Sequence, residues 1–405
     1  MGGGIVGLAA AIEAQRRGNQ VAIVDEADPG TGCSFGNAGI IAASEIFPLI
    51  TARRIADLPR MLLSRDAPAV IRAASLPRLV PWVARAAISL TAARQGGITR
   101  AIAALNSRSV AAWRDLLAHC KASRQLREQG MIRLIRDQPD FGALEEIGAG
   151  LALHGMPSRR LGRDELLALE PALGKAVVGG LLHESDADIG EPYALSQIML
   201  ACFRAAGGAL ICQRVTAVER TETGATVEAA GKFHLADRVL VAAGLASDKL
   251  LRPFGVAVPL QAERGYHLSL PGRSGLLQRP VTFQRESCVA TPMGATLRLA
   301  GTVEFAEADA KPDWRRAHRL ADQAAHYFSE PLAAADGAVW MGSRPSLPDS
   351  LPAIGRLAEA PSIGYAFGHQ HLGLTQAAIS ASLLNDLMDD KMPAFNPTPY
   401  SLTRF

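Results

Sequence analysis

Aromatic residues are scarce in this 405-residue chain, 5% of the total, and 42 lysines and arginines nearly balance 39 acids for a formal net charge of +3. With few stacking platforms and no basic excess, nucleic acid is excluded as an expected partner. Cysteine is sparse too: Cys33, Cys120, Cys202, Cys212 and Cys288 are odd in number, scattered and without C-x-x-C spacing. That argues against a disulfide framework or structural zinc and fits a reducing, cytoplasmic compartment. No apolar run approaches the roughly 20 residues of a membrane-spanning helix. The apolar start lacks the basic residues and cleavage site of a signal peptide, and Val6 stands where a myristoylation signal wants Ser or Thr. What the chain does have is hydrophobic content, 48% against 20% charged, and at this length two domains are expected.

Gly2, Gly4 and Gly7 make G-x-G-x-x-G at the head of a stretch, Ile5 to Arg17, that reads as a helix ending at Gly18. Val21 to Val24 then reads as a buried strand. Asp25 at its end stands about 20 residues past the glycines, where a carboxylate can accept hydrogen bonds from an adenosine ribose. Small glycines let the backbone approach a pyrophosphate, and the helix N-terminus offers it N–H groups and positive dipole. Such a motif should follow a strand, yet only Met1 precedes Gly2. The central strand of a Rossmann sheet is therefore expected to be truncated here. A native chain starting upstream is the favoured expectation, and an N-terminally truncated, non-catalytic relative the alternative.

NAD and FAD both use this unit, so later segments decide between them. Gly208 to Val215, Thr226 to Glu228 and the run to Ala243 and Gly244 read as strands. Gly368 to Thr375 opens an apolar helix running to Met388, a second helix N-terminus suited to a polar ring or anion.

Taken together, GGGIVGLAAAIEAQRRG (2–18), CSFGNAGIIA (33–42), LEPAL (169–173), VLVAAG (239–244), ERGYHL (263–268), ATPMGATLRLAGTVEF (290–305), WMGSRPSLPDSLPAIGR (340–356) and FGHQHLGLT (367–375) resemble the FAD-dependent D-amino-acid oxidase and dehydrogenase superfamily, over nearly the whole chain. Bacterial D-amino-acid dehydrogenase-like and glyphosate oxidoreductase-like proteins are the branches it looks most like. The resemblance implies an α/β fold, α+β overall. A Rossmann-like FAD-binding domain (1–50, 160–258, 345–405) interleaves with a mixed-sheet substrate domain (51–159, 259–344). It places Gly2, Gly4, Ile5, Val6, Gly7, Asp25 and Glu26 on the ADP half of FAD, and Ser34, Asn37, Ala38 and Gly39 along the ribityl and flavin. Val215, Ala243 and Gly244 fall near the adenine side, and His369, Leu372, Gly373, Leu374 and Thr375 at the flavin pyrimidine end. The last cysteine is Cys288, so noncovalent FAD is expected.

The implied reaction is oxidative deamination of a D-amino acid by hydride transfer to flavin N5, giving an imine and then a 2-oxo acid. Secondary amino acids such as D-proline, D-hydroxyproline or N-substituted glycines are the alternative. Arg344 stands where the family grips the substrate carboxylate; in isolation it would read as an ion-pair partner of, for instance, Asp349. Tyr266, His267 and His371 are candidates to orient the amine, accept its proton or recognise a side chain, against a plain reading as satisfied core residues. His369 and His371, two apart with no third ligand nearby, do not make a metal site. Between Ile46 and Arg94 lie Arg53, Arg54, Arg60, Arg65, Arg72, Arg78, Arg85 and Arg94 against Asp57 and Asp66, cut by prolines. This basic stretch reads either as a peripheral dock on an anionic inner membrane, with quinone as electron acceptor, or as a solvated face.

Overall fold

The computed structural model describes residues 1–64, 67–138, 140–332 and 336–405. The Ile5–Arg16 helix begins at Gly4 and buries Leu8, Ala9 and Ile12. Its alanine-rich face lets it lie close against the Gly373–Met388 helix, where Asn385 Nδ2 donates to Ala10 O at 3.2 Å. Arg17 ties its far end to Asp386 and Asp389 at 2.9 and 3.1 Å.

Beside these helices the neighbouring strands fall into two ladders. Ala22–Asp25 pairs in parallel with Ala209–Cys212, while Val239–Val241 pairs in parallel with Ile363–Phe367, which takes Ala353–Arg356 on its other edge. Met1 and Gly2 lie between the ladders. The Met1 amine donates to Leu240 O (2.7 Å), Met1 O accepts from Ala242 N (2.9 Å), and Gly2 N donates to Val24 O (2.9 Å). The segment read as one strand from Gly208 to Val215 is two, Ala209–Cys212 and Val215–Arg220; the second joins Ala225–Ala229 and Lys232–Ala236 in an antiparallel sheet.

A nine-stranded mixed sheet forms the other wall, in the order Ala338–Ser346, Gln261–Pro271, Thr296–Phe305, Cys288–Met293, Val281–Phe283, Met131–Ile135, Gly179–His183 and Ser158–Gly162, with Ala69–Ile71 paired off Thr296–Phe305. One face packs Leu268, Leu270 and Leu299 against the Arg315–Ala325 helix, and Ile132 and Leu134 belong to the same core. The opposite face looks toward the two ladders and the helices beside them. Prolines divide the 46–90 stretch into short pieces, Ala52–Ala56, Leu58–Leu63 and Leu76–Ile88, the last carrying Pro81 and burying Leu79, Trp82 and Ala86. The longest helix among the described residues, Ala92–His119, passes through Gly96 and Gly97.

Candidate active site

A cavity of about 1300 Å³ lies between these ladders and the wide sheet. Its glycine-turn end is made of backbone. Gly2, Gly4, Ile5 and Val6 line it, and Asp25 and Glu26 follow at the strand end. Asp25 closes the glycine turn, Oδ2 accepting from Gly3 N at 2.5 Å and Oδ1 from Ala27 N at 2.9 Å. Glu26 meets Arg214 at 2.5 Å on the rim. Gly7 is not on the cavity wall: a Cβ there would stand 1.9 Å from Gly2 O, so its absence lets the helix start against the turn. Val215, Ala243 and Gly244 complete this end.

Ser34 Oγ accepts from Ile5 N (3.0 Å), joining the 33–45 loop to the helix start. Asn37 and Ala38 line the cavity, while Gly39 turns the chain beside it, held by Asn37 Oδ1 accepting from Gly39 N at 2.9 Å. Arg298 reaches over from the wide sheet and donates to Asn37 O (2.8 Å) and Glu191 (3.1 Å); burial pulls its pKa down. On the far side His369, His371, Leu372, Gly373, Leu374 and Thr375 all line the cavity, at the start of the Gly373–Met388 helix. Thr375 Oγ1 accepts from Ala42 N (3.0 Å) and Trp113 Nε1 donates to Leu374 O (2.8 Å), so this turn is pinned on both sides. His369 shares a hydrogen bond with Ser380 Oγ (3.0 Å), and burial pushes its pKa down to about 3.

Arg344 is on the sheet wall, in the cavity and partly buried. Its Nη1 donates to Glu263 Oε1 at 3.2 Å, and Ser346 Oγ donates to the other Glu263 oxygen at 2.8 Å. The guanidinium lies over Gly265, where a Cβ would stand 2.4 Å from Nη2. Asp349 is taken by Arg404 at 2.6 Å. The strand carrying Tyr266 and His267 does not present either to the cavity lining. Tyr266 points behind the sheet, its hydroxyl donating to Glu304 (2.6 Å) and accepting from Asp313 N (3.2 Å). His267 stacks on Trp340, 5.2 Å between rings, and bonds Gly36 O at 3.1 Å. A carbonyl only accepts, so His267 Nδ1 carries the proton. Burial, then Arg298, pushes its pKa down to about 4, so the ring is neutral.

Five cavity or wall residues escaped the sequence reading: Glu263, Arg298, Trp340, Glu45 and Arg133. Glu263 stood inside the ERGYHL segment, and membership of that segment was its available signal. Trp340 and Arg298 likewise stood inside the 340–356 and 290–305 segments, whereas Glu45 and Arg133 stood in none.

The wall suits FAD: a glycine turn without side chains, a carboxylate at the strand end, and a helix start at the opposite end, in a cavity larger than one small substrate needs. The chain is 30% identical to a D-amino-acid oxidase of Bradyrhizobium diazoefficiens, covering 100% of this chain and 98% of the relative. It is 30% identical to D-amino acid dehydrogenase 2 of Ralstonia nicotianae, covering 100% and 99%. Glycine oxidase from Geobacillus kaustophilus shares the fold with a TM-score of 0.79 at 23% identity, over 100% and 97% of the two chains. A family model, DAO: FAD dependent oxidoreductase, matches residues 1–387, and with that match across its length the chain belongs to this family of FAD-dependent oxidoreductases.

Proposed function

We propose that the protein oxidises the C–N bond of a D-amino acid to an imine that water hydrolyses to a 2-oxo acid. The observation that carries this reading is Arg344: a guanidinium in the cavity, laid flat over Gly265 and braced by Glu263 and Ser346. Such a braced fork grips a carboxylate. FAD, when bound, supplies the hydride acceptor. Gly2, Gly4, Ile5, Val6, Asp25 and Glu26 would hold its ADP half without a covalent bond, with Val215, Ala243 and Gly244 beside the adenine side. Ser34, Asn37 and Ala38 would run along its middle, and His369 and the 372–375 turn would meet the ring, with Gly7 and Gly39 shaping the backbone behind. This divides the chain as 1–50, 160–258 and 345–405 on the FAD side and 51–159 and 259–344 on the substrate side.

Arg344 fixes the substrate carboxylate, and His371 in the facing turn orients the amine and can receive its proton. His267 acts through the loop, holding Gly36 in place, and Tyr266 buttresses the sheet from behind. The visible spectrum of purified, FAD-loaded protein, recorded anaerobically with a panel of D-amino acids, D-proline, D-hydroxyproline and N-methylglycine, tests the proposal. Bleaching of the flavin band by a D-amino acid is expected; no bleaching by any member would overturn it.

The electron acceptor we propose is a quinone at a membrane surface. Among the described residues no helix is long and apolar enough to cross a membrane. Support comes from the Leu76–Ile88 helix, which exposes Val80 and Ile88, and from the apolar arm of the cavity lined by Ile50, Leu58, Met61, Trp82 and Val83. Two of the arginines in this stretch are already paired, Arg72 with Glu304 at 2.6 Å and Arg78 with Glu307. Arg65, Asp66 and the side chains of Arg53 and Arg54 lie outside the described residues. Sedimentation with anionic vesicles at low and high salt decides, and absence of binding at low salt removes the membrane contact.

A further inference from the structure

The cavity has a second polar corner that the reaction above does not use. On the Met131–Ile135 strand, Ile132 and Leu134 pack behind the sheet, and Arg133 between them lines the cavity. Its Nε donates to His183 Nε2 (3.0 Å), Nη1 to Gln284 Oε1 (3.4 Å) and Nη2 to Glu45, which comes from the end of the 33–45 loop. Arginine only donates, so His183 Nε2 is the acceptor and Nδ1 carries the proton toward Ser158 Oγ, 2.9 Å away. The ring is thus neutral, in line with a pKa pushed down to about 3 by burial and then by Arg133. Charge in this corner comes down to one guanidinium and one carboxylate.

The corner is also rigid. Ser44, next to Glu45, donates from N and Oγ to the buried Asp186, both at 2.7 Å, and Asn106 Nδ2 holds Glu45 O at 2.7 Å. Arg133 commits three of its N–H groups in these bonds, and Glu45 Oε1 is committed to Arg133. Two guanidinium N–H groups and Glu45 Oε2 remain to address the cavity.

We propose that Arg133 and Glu45 form a side-chain subsite for a neutral group that both donates and accepts a hydrogen bond, a carboxamide or hydroxyl at the far end of the substrate side chain. This rests on the amino-acid reading of Arg344. A carboxamide satisfies a spare donor and a spare acceptor at once. A second carboxylate would meet Glu45, an ammonium would meet Arg133, and an alkyl group would desolvate both charges with nothing in return. Arg344 and Arg133 line one cavity, and Glu45 is close enough to His371, in the turn proposed to meet the amine, to feel its charge, so the corner adjoins the substrate site.

The test compares kcat/KM of the FAD-loaded enzyme for D-glutamine, its charged isostere D-glutamate, and D-norvaline, which keeps the same three side-chain carbons without the polar atoms. D-Glutamine is expected to lead both by about tenfold or more, chiefly through KM, as a polar site rejects analogues that leave its groups unpaired. In the paired substitution Glu45→Leu with Arg133→Met, the glutamine-to-norvaline ratio is expected to fall below one. If the wild-type enzyme oxidises D-amino acids but treats the three alike, or prefers norvaline, the subsite is overturned while the Arg344 reading stands; that comparison decides even if the paired variant does not fold. If no D-amino acid is oxidised at all, it is the amino-acid reading that has failed.

Discussion

The two ends of the cavity are built by different means. The nucleotide end is backbone and absence: glycines, the start of a helix and one carboxylate, all within residues 1–39 except for the flanking Val215, Ala243 and Gly244. The sheet end is made of charged side chains, Arg344 with Glu263 and Arg133 with Glu45, paired across 81 and 88 residues of chain. A backbone site tolerates little change in shape but makes few demands on side chains, whereas a side-chain site can be retuned one residue at a time. Substitutions at one end should therefore leave the other end's readout intact.

The sharpest break comes from Arg344→Met. Losing two charge-assisted hydrogen bonds to the substrate carboxylate, at about 1.5–3 kcal/mol each, should lower kcat/KM roughly 10²–10⁴-fold while bound FAD and its spectrum persist. Coupled loss of FAD would show that the two ends are not separable. Gly7→Ala should do the converse. Its Cβ would meet the Gly2 carbonyl, which cannot swing aside as a side chain does, so about 3 kcal/mol of stability and the retained flavin band should be lost together. Denaturant midpoints and absorbance after gel filtration read both effects. A milder case is Gly265→Ala, whose methyl meets only the tip of Arg344. The guanidinium can shift, and an increase in KM of about tenfold is expected with FAD binding untouched.

The same contrast explains what was legible in the sequence. The glycine turn and Asp25 could be read because their contacts are local: motif, helix and strand end follow within a few dozen residues, whereas Ser34 was reached through the family resemblance. Arg344 was reached through its motif. Tyr266 was expected in the site and Glu263 was not, because every residue from Ala262 to Leu270 is buried and the usual alternation of polar and apolar positions gives no face. The register irregularity between Gly265 and His267 further shifts which residues look toward the cavity. Arg133 and Glu45 meet only because of the sheet order, which places Met131–Ile135 beside Val281–Phe283 and the 33–45 loop across from both. No pattern in either segment encodes that meeting.

A further contrast lies in acid stability. His183, His267 and His369 are held near 3, 4 and 3, chiefly by burial, below the ordinary 6.5. Asp186 and Asp188 are pushed up to about 7 and 6, also chiefly by burial. At pH 5 the unfolded chain protonates the three histidines and the folded one does not, so they favour unfolding as pH falls from 6.5. The two aspartates act the other way: the folded chain holds protons that the unfolded chain, at 3.8, has released, so their contribution is present in acid and lost as pH rises through 6 and 7. Three against two leaves about one proton more on the unfolded chain near pH 5, a loss of about 1.4 kcal/mol per pH unit on acidification from these groups. Asp186→Asn isolates one member. An asparagine can accept from Ser44 N and donate to Ser44 Oγ, keeping both bonds. Relative to wild type the variant should gain about 1.4 kcal/mol per pH unit between pH 4 and 7 in urea unfolding. A flat difference across that range would mean that Asp186 is ionised in the folded protein, and that the turn presenting Glu45 is anchored by a charge rather than by a neutral acid.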